Sequence, residues 1–167
     1  MTQHISLPSQ PSSQDGTIRI TLMGAPQGKA RPRHGKGFTY TPAHTRAFES
    51  ALRYAAQVAM AGRPPLEGPL SLRLDAHMPI PASWSARKHR LALMGQVQPT
   101  TKPDADNLLK CIDSCNGIVW RDDAQIVTAS VAKRYSERPR IEIEVVPVDA
   151  IAAQAGVGRA TGKRVAA

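Results

Sequence analysis

The chain predicts an α+β fold, a compact domain in which a mixed or antiparallel sheet is covered by helices. Three observations predict it. Apolar residues alternate with polar ones at 17–22, 70–78 and 139–146, as in half-buried strands; they recur at helical spacing between Phe48 and Ala59; and the two periods follow one another along a single chain of 167 residues. A chain of that length suits one domain with a core of its own. The ordered part should run from 17 to 148, between a Ser-, Gln- and Pro-rich tail at 1–16 and an Ala-, Gly- and Lys/Arg-containing tail at 149–167, both expected to be flexible.

In the first strand Ile18, Ile20 and Leu22 alternate with Arg19 and Thr21. GAPQGKARPRHGKG follows at 24–37, a basic loop punctuated by Gly and Pro. Thr41 and Pro42 read as a cap and first-turn residue of a helix whose apolar face is Phe48, Ala51, Leu52, Ala55, Val58 and Ala59, and which should end by Gly62. Leu70, Leu72, Leu74, Ala76 and Met78 mark a second strand, closed by Pro79 and Pro81. Ser83 is a candidate cap for a short helix to about Met94, with Trp84, Leu91 and Met94 partly buried. Two last strands are expected at 125–134 and 139–146, with YSERP between them making an antiparallel hairpin.

Twenty-two Lys and Arg against thirteen Asp and Glu give a net charge of +9, a balance that draws polyanions without reading their sequence. Cys111 and Cys115 are the two cysteines, too few for a disulfide framework and without the further ligands of a zinc site. Reduced cysteines packed in a helix of an intracellular protein are expected, since neither a signal peptide nor a membrane-spanning run is present. GVGRATGKR near the end lacks the spacing of a phosphate-cradling loop, so no nucleotide cofactor is expected.

The chemistry concentrates in TKPDADNLLKCIDSCNGIVWRDDAQI, 101–126. Asp106 or Asn107 can cap a helix to about Asn116, placing Asp106, Lys110 and Asp113 on one side and Leu108, Leu109, Ile112 and Cys115 on the other. An extended lead-in through Pro103 could fold Asp104 toward Asp106, and Asp122 and Asp123 stand in a turn before a strand. Carboxylates brought together repel unless a divalent cation sits between them, and magnesium suits an oxygen-only site. The simpler alternatives are a helix cap for Asp106, an exposed i,i+4 pair for Asp106 and Lys110, and plain turn residues for Asp122 and Asp123.

DADNLLK at 104–110 and NGIVWRDDAQI at 116–126 closely resemble the RusA family of Holliday junction resolvases, and the resemblance extends more loosely over 17–147, through RPR at 31–33, TYTP at 39–42 and LRLDAHMP. It implies a RusA-like domain, catalytic, magnesium-binding carboxylates at Asp104, Asp106 and Asp123 (with manganese as an alternative ion), and a catalytic lysine at Lys110. It also implies a homodimer that acts on four-way branched DNA by paired symmetrical nicks, at home in the cytoplasm of a bacterial host, often on behalf of a phage or prophage. Asp122 is then a neighbour of the site. Residues 80–100 lengthen a link that is short in compact family members.

Lys29, Arg31, Arg33 and Lys36 in the loop, and Arg87, Lys88 and Arg90 in the insertion, are the expected DNA contacts. Phe38 and Tyr40 are expected to be partly buried loop anchors, and Trp120 a packing residue that fixes Asp123. Asp75, on the polar side of its strand, is a weaker candidate ligand. Competing readings are a non-catalytic nucleic-acid binding protein and a related nuclease of flaps or forks.

Overall fold

The structure, a computed structural model, describes residues 16–31, 33–34 and 37–150. The two expected tails fall almost wholly outside these residues. Strands β1 (Ile18–Met23), β2 (Arg33–His34) and β3 (Thr39–Tyr40) precede helix α1 (Ala43–Met60). Then come β4 (Leu70–Pro79), α2 (Ala86–Leu93), α3 (Ala105–Leu109), 3-10 helices at Lys110–Cys115 and Asp123–Gln125, and strands β5 (Ile126–Ser136) and β6 (Arg140–Pro147).

One mixed sheet in the order β1-β6-β4-β5 carries the fold, and β2 and β3 form a small ribbon within the basic loop. Ile18, Ile20, Leu70, Leu72, Leu74, Ala76, Ile141, Ile143 and Val145 are buried against Leu52, Ala56 and Met60 of α1 and against Leu108, Cys111, Ile112 and Cys115 of the acidic segment. The helices therefore lie on one face. The other face is open and charged, with Arg19, Arg73, Asp75, Glu142 and Glu144 lining one shallow depression.

The expected hairpin of the last two strands does not form. β5 runs parallel to β4 and β6 runs antiparallel to it, so β4 stands between them. YSERP does reverse the chain, but over the end of β4: the ladders close at Pro79–Ser136 on one side and His77–Arg140 on the other. Glu137, Arg138 and Pro139 thus cross two strand spacings, roughly 10 Å, and Pro79 gives a natural end to the strand they pass. A parallel β4–β5 pair needs a long crossover, and residues 80–125 supply it.

Several local boundaries also differ from expectation. Pro42 itself occupies the N-cap of α1, and the helix closes through Ala61 in the left-handed region, φ 49°. Its buried stripe is Thr45, Leu52, Ala56 and Met60, while Ala51 and Val58 face solvent. The stripe is thus rotated by about one position from the apolar letters, because Ala fits either side. Ser85, not Ser83, caps α2, its Oγ accepting from the Lys88 N–H at 3.4 Å; Met94 is exposed. The helix of the acidic segment begins at Ala105 and tightens to 3-10 geometry at Lys110. Within it the Ser114 hydroxyl donates to the Cys111 carbonyl at 2.8 Å, and the Asn116 N–H to the Asp113 carbonyl at 3.2 Å.

Leu74 is fully buried at the middle of β4, with β5 and β6 on its two sides. Leu74→Ala should therefore destabilise the whole domain by about 2–5 kcal/mol, read as a lower urea midpoint with an unchanged slope.

Candidate active site

The acidic segment packs its apolar side into the core and leaves its charged side along a groove of about 360 Å³ lined by Asp106, Leu109, Lys110, Ile112, Asp113, Asp123, Ile126 and Ala129. Asp106, Lys110 and Asp113 keep to one side as their spacing predicts, since the turn from 110 to 113 in a 3-10 helix is one full rotation. The Lys110 ammonium lies 3.0 Å from Asp106 Oδ2 and donates to Asn107 Oδ1 at 3.4 Å. The hydrogen bond from Lys110 to Asp106 is the first cause holding the Asp106 carboxyl below its ordinary pKa, with the charge of Lys110 adding to it.

Asp123 reaches the same groove from the opposite chain direction, and its neighbours place it there. Asp122 accepts from the Ala124 N–H at 2.8 Å, and the Gln125 amide oxygen accepts from the N–H groups of Arg121 and Asp122 at 2.8 and 3.2 Å, a reciprocal cap. Gln125 Nε2 donates to the carbonyls of Leu66 and Gly68, each at 3.1 Å, which ties the turn to the approach to β4. Trp120 is fully buried, and its indole N–H donates to Asn116 Oδ1. Asp122 is therefore committed to the turn, while Asp123 is exposed.

Asp104 lies elsewhere. It occupies the N-cap of α3 with extended backbone, φ −71° and ψ 151°, and lines a larger cavity of about 740 Å³ with Gln27, Gly28, Lys29, Arg31, His44, Lys102 and Asn107. Two positions along a helix differ by roughly 200° around its axis, so a helix that starts at Ala105 turns Asp104 and Asp106 apart. Among the described residues no group of three or more His, Cys, Asp or Glu side chains could hold a metal ion. Three carboxylates, Asp106, Asp113 and Asp123, line the one open groove; Lys110 pairs with Asp106 and Lys29 with Asp113. Magnesium commonly takes one or two protein carboxylates and completes its shell with water and phosphate, so the oxygen donors on this groove are of the chemical type such an ion takes.

The basic loop is pressed against this segment. The Lys29 N–H donates to the Asn107 carbonyl at 2.9 Å, and a Cβ built on Gly28 would stand 3.0 Å from the Cβ atoms of both Pro103 and Asn107. A residue without a side chain is what allows that approach.

A profile of the family Endodeoxyribonuclease RusA matches residues 23–146. The chain belongs to the RusA family. It is also 37% identical over 142 residues to "Uncharacterized protein YqaN" of Bacillus subtilis (strain 168), covering 80% of this chain and 98% of that protein. The family match spans the groove, the cavity and the basic loop together.

For a RusA-family chain the expected DNA contacts are unevenly disposed. Arg31 is exposed and lines the larger cavity with Lys102 and His44, neither of which is among the DNA contacts expected from the sequence. Lys29 is already engaged, 2.8 Å from Asp113 Oδ2 and 3.9 Å from Glu49, and the bond to Asp113 raises its pKa. Arg33 lies on β2, and Lys36 is outside the described residues. Arg87, Lys88 and Arg90 are exposed on α2, with the Lys88 ammonium 3.8 Å from the centre of the Trp84 ring. Phe38 and Tyr40 are exposed instead of anchored, their ring centroids 5.9 Å apart.

Asp75 is not a ligand of this site. It sits on the open face of the sheet, away from the acidic segment, held by Arg73 at 2.8 Å and by Arg134. Cys111 and Cys115 are buried as helix-packing residues, and burial pushes each thiol up to about 11. Among the described residues no helix is long and apolar enough to cross a membrane.

A depressed carboxyl pKa contributes stability above its ordinary value of 3.8, and that contribution fades as the pH falls through the lowered folded value. Lys110→Met should accordingly raise the Asp106 titration midpoint toward 3.8, as read from its side-chain carboxyl carbon by NMR. Both thiols should resist alkylation at pH 8 in the native protein and react on unfolding, because burial and a pKa of about 11 leave little accessible thiolate.

Proposed function

We propose that this chain is a magnesium-dependent, structure-selective endodeoxyribonuclease that resolves four-way DNA junctions by paired, symmetry-related nicks. One observation carries the reading: in a RusA-family chain, Asp106, Lys110 and Asp123 line one solvent-open groove on the charged side of the acidic segment. Asp106 and Asp123 would hold the ion. When bound, it supplies an activated water for attack on the phosphodiester and charge for the leaving oxygen.

Lys110 pairs with Asp106 and holds its carboxyl below its ordinary pKa, and its exposed ammonium can also neutralise charge that develops on the phosphate. Asp104 faces the neighbouring cavity, whose rim of Arg31, Lys102 and His44 suits the incoming backbone. In this reading Asp104 completes the site once DNA is engaged. Arg33, Lys36 and the α2 cations extend the contact along the duplex, with Lys29 joining only at the expense of Asp113.

Paired nicks call for two sites, and a homodimer supplies them. A candidate surface is the first half of β5, Ile126–Ser130, an edge stretch without a charged side chain on which Val127 is 61% exposed. Manganese should substitute for magnesium, and the bacterial cytoplasm is the setting this substrate implies.

Asp106→Asn should lower magnesium-dependent cleavage of a synthetic four-way junction by more than about 100-fold, the scale expected for losing a group that organises charge in the transition state, while leaving junction affinity largely intact. Mapped cuts on linear, flap, fork and four-way DNAs decide the substrate. Equal cutting of linear duplex would overturn the resolvase reading, and junction binding with no cleavage at any magnesium concentration would favour a binding protein.

A further inference from the structure

We infer that Lys133 is the positioning residue for Asp104, a clamp built into the edge strand that holds the loop presenting this carboxylate. The inference rests on the nuclease reading above, which gives Asp104 its function. Lys133 pairs with Ala76 in the β4–β5 ladder, so its side chain emerges on the helix-covered face, between register positions occupied by Val131 and Tyr135. Those two are partly buried against the core. A lysine between them is out of place in an apolar stripe unless its ammonium has a destination.

The destination is the backbone just before Asp104. Lys133 Nζ donates to the Thr101 carbonyl at 2.8 Å and to the Pro103 carbonyl at 3.0 Å. Among the described residues no carboxylate pairs with this ammonium, so its charge is spent on two carbonyl dipoles. Asp104 makes no side-chain capping bond of its own, and its direction therefore follows from where the backbone of 101–104 is held. The same segment also meets the basic loop at Gly28, where an added Cβ would stand 3.0 Å from the Cβ atoms of Pro103 and Asn107. Lys133 ties the loop to β5 through both carbonyls, so the setting of Asp104 depends on that clamp.

This assignment differs from a purely structural one in what it couples. A lysine that only stabilises the domain would, on removal, multiply its effect with any catalytic substitution. One that acts through Asp104 has nothing further to lose once Asp104 is gone. The full-length chain is compared as wild type, Lys133→Met, Lys133→Arg, Asp104→Asn and the Lys133→Met, Asp104→Asn double variant, by single-turnover cleavage of a four-way junction. Hydrogen–deuterium exchange over residues 100–107 is followed in parallel. Lys133→Met should slow cleavage about 10- to 100-fold, the range seen when a residue supporting a metal-site side chain is lost, and should accelerate exchange in that segment while the sheet stays protected. On the Asp104→Asn background it should add less than about 3-fold, and Lys133→Arg should recover part of both signals.

Multiplicative losses, or unchanged exchange over 100–107, would overturn the inference. Should Lys133→Met fail to fold, Lys133→Gln keeps a shorter amide donor in place and is read by the same two measurements. If Asp104→Asn cleaves like wild type, the clamp has no catalytic carboxylate to position and the inference falls, whereas the nuclease reading still stands on Asp106 and Asp123. A chain that cleaves no DNA at all sinks the nuclease reading, and exchange over 100–107 then tests the clamp alone.

Discussion

Strand β4 is the constraint on which the rest of the molecule depends. Its apolar residues Leu70, Leu72, Leu74 and Ala76 are buried almost completely, and both of its edges are hydrogen-bonded, in parallel to β5 and antiparallel to β6. Satisfying both edges at once separates two strands that a three-residue turn would otherwise pair. β5 is thereby displaced to the rim of the sheet. There its beginning carries Asp123 toward the groove, and its far half receives the insertion through Trp84 against Tyr135, ring centroids 5.1 Å apart, and the lead-in to Asp104 through Lys133.

The site follows from the same arrangement. The long parallel crossover has to cover one face of the sheet, and its last part is the acidic segment, pinned to the core by Leu108, Cys111, Ile112 and Cys115. Apolar burial thus fixes the height of the groove, while charge fixes its inhabitants. Lys110 pairs with Asp106, and Lys29 pairs with Asp113 from the basic loop. Asp104, one helical position outside this arrangement, is governed by backbone contacts instead.

Much of this was legible in the sequence because it depends on periodicity. Period two located β1, β4 and β6, period 3.6 located α1, and the spacing of Asp106, Lys110 and Asp113 placed them on one side even though half of that helix is 3-10. The choice of Asp123 over Asp122 comes from the family resemblance and not from periodicity; in the structure Asp122 caps the turn. What stayed hidden depends on partners far along the chain. Strand order cannot be read from alternation, since a strand facing β4 and a strand facing β6 show the same pattern. The separation of Asp104 from Asp106 turned on a helix start two residues earlier than its capping letters suggested. Lys133 gave no signal, because an isolated lysine in an edge strand is ordinary until the carbonyls it meets are known. Asp75 misled for the converse reason: alternation assigned it to the polar face correctly, but that face is turned away from the site.

The ion pairs bear on how the protein would meet a polyanion. Formal charge stands at +9, yet Arg19, Lys29, Arg73, Lys110, Arg121, Arg134 and Arg140 each already face a carboxylate within the molecule. Each such cation must give up a partner before it neutralises a phosphate, and the counterion it releases from DNA is offset by one the freed carboxylate takes up. Among the described residues, Arg31 and Lys102 beside the cavity and Arg87 and Arg90 on α2, like Arg46, Arg53 and Arg138, face no carboxylate and can meet a phosphate without first giving one up. Positive charges of equal formal weight along the chain are thus unequal in the folded molecule: some are committed to a carboxylate, and others are free to act at once.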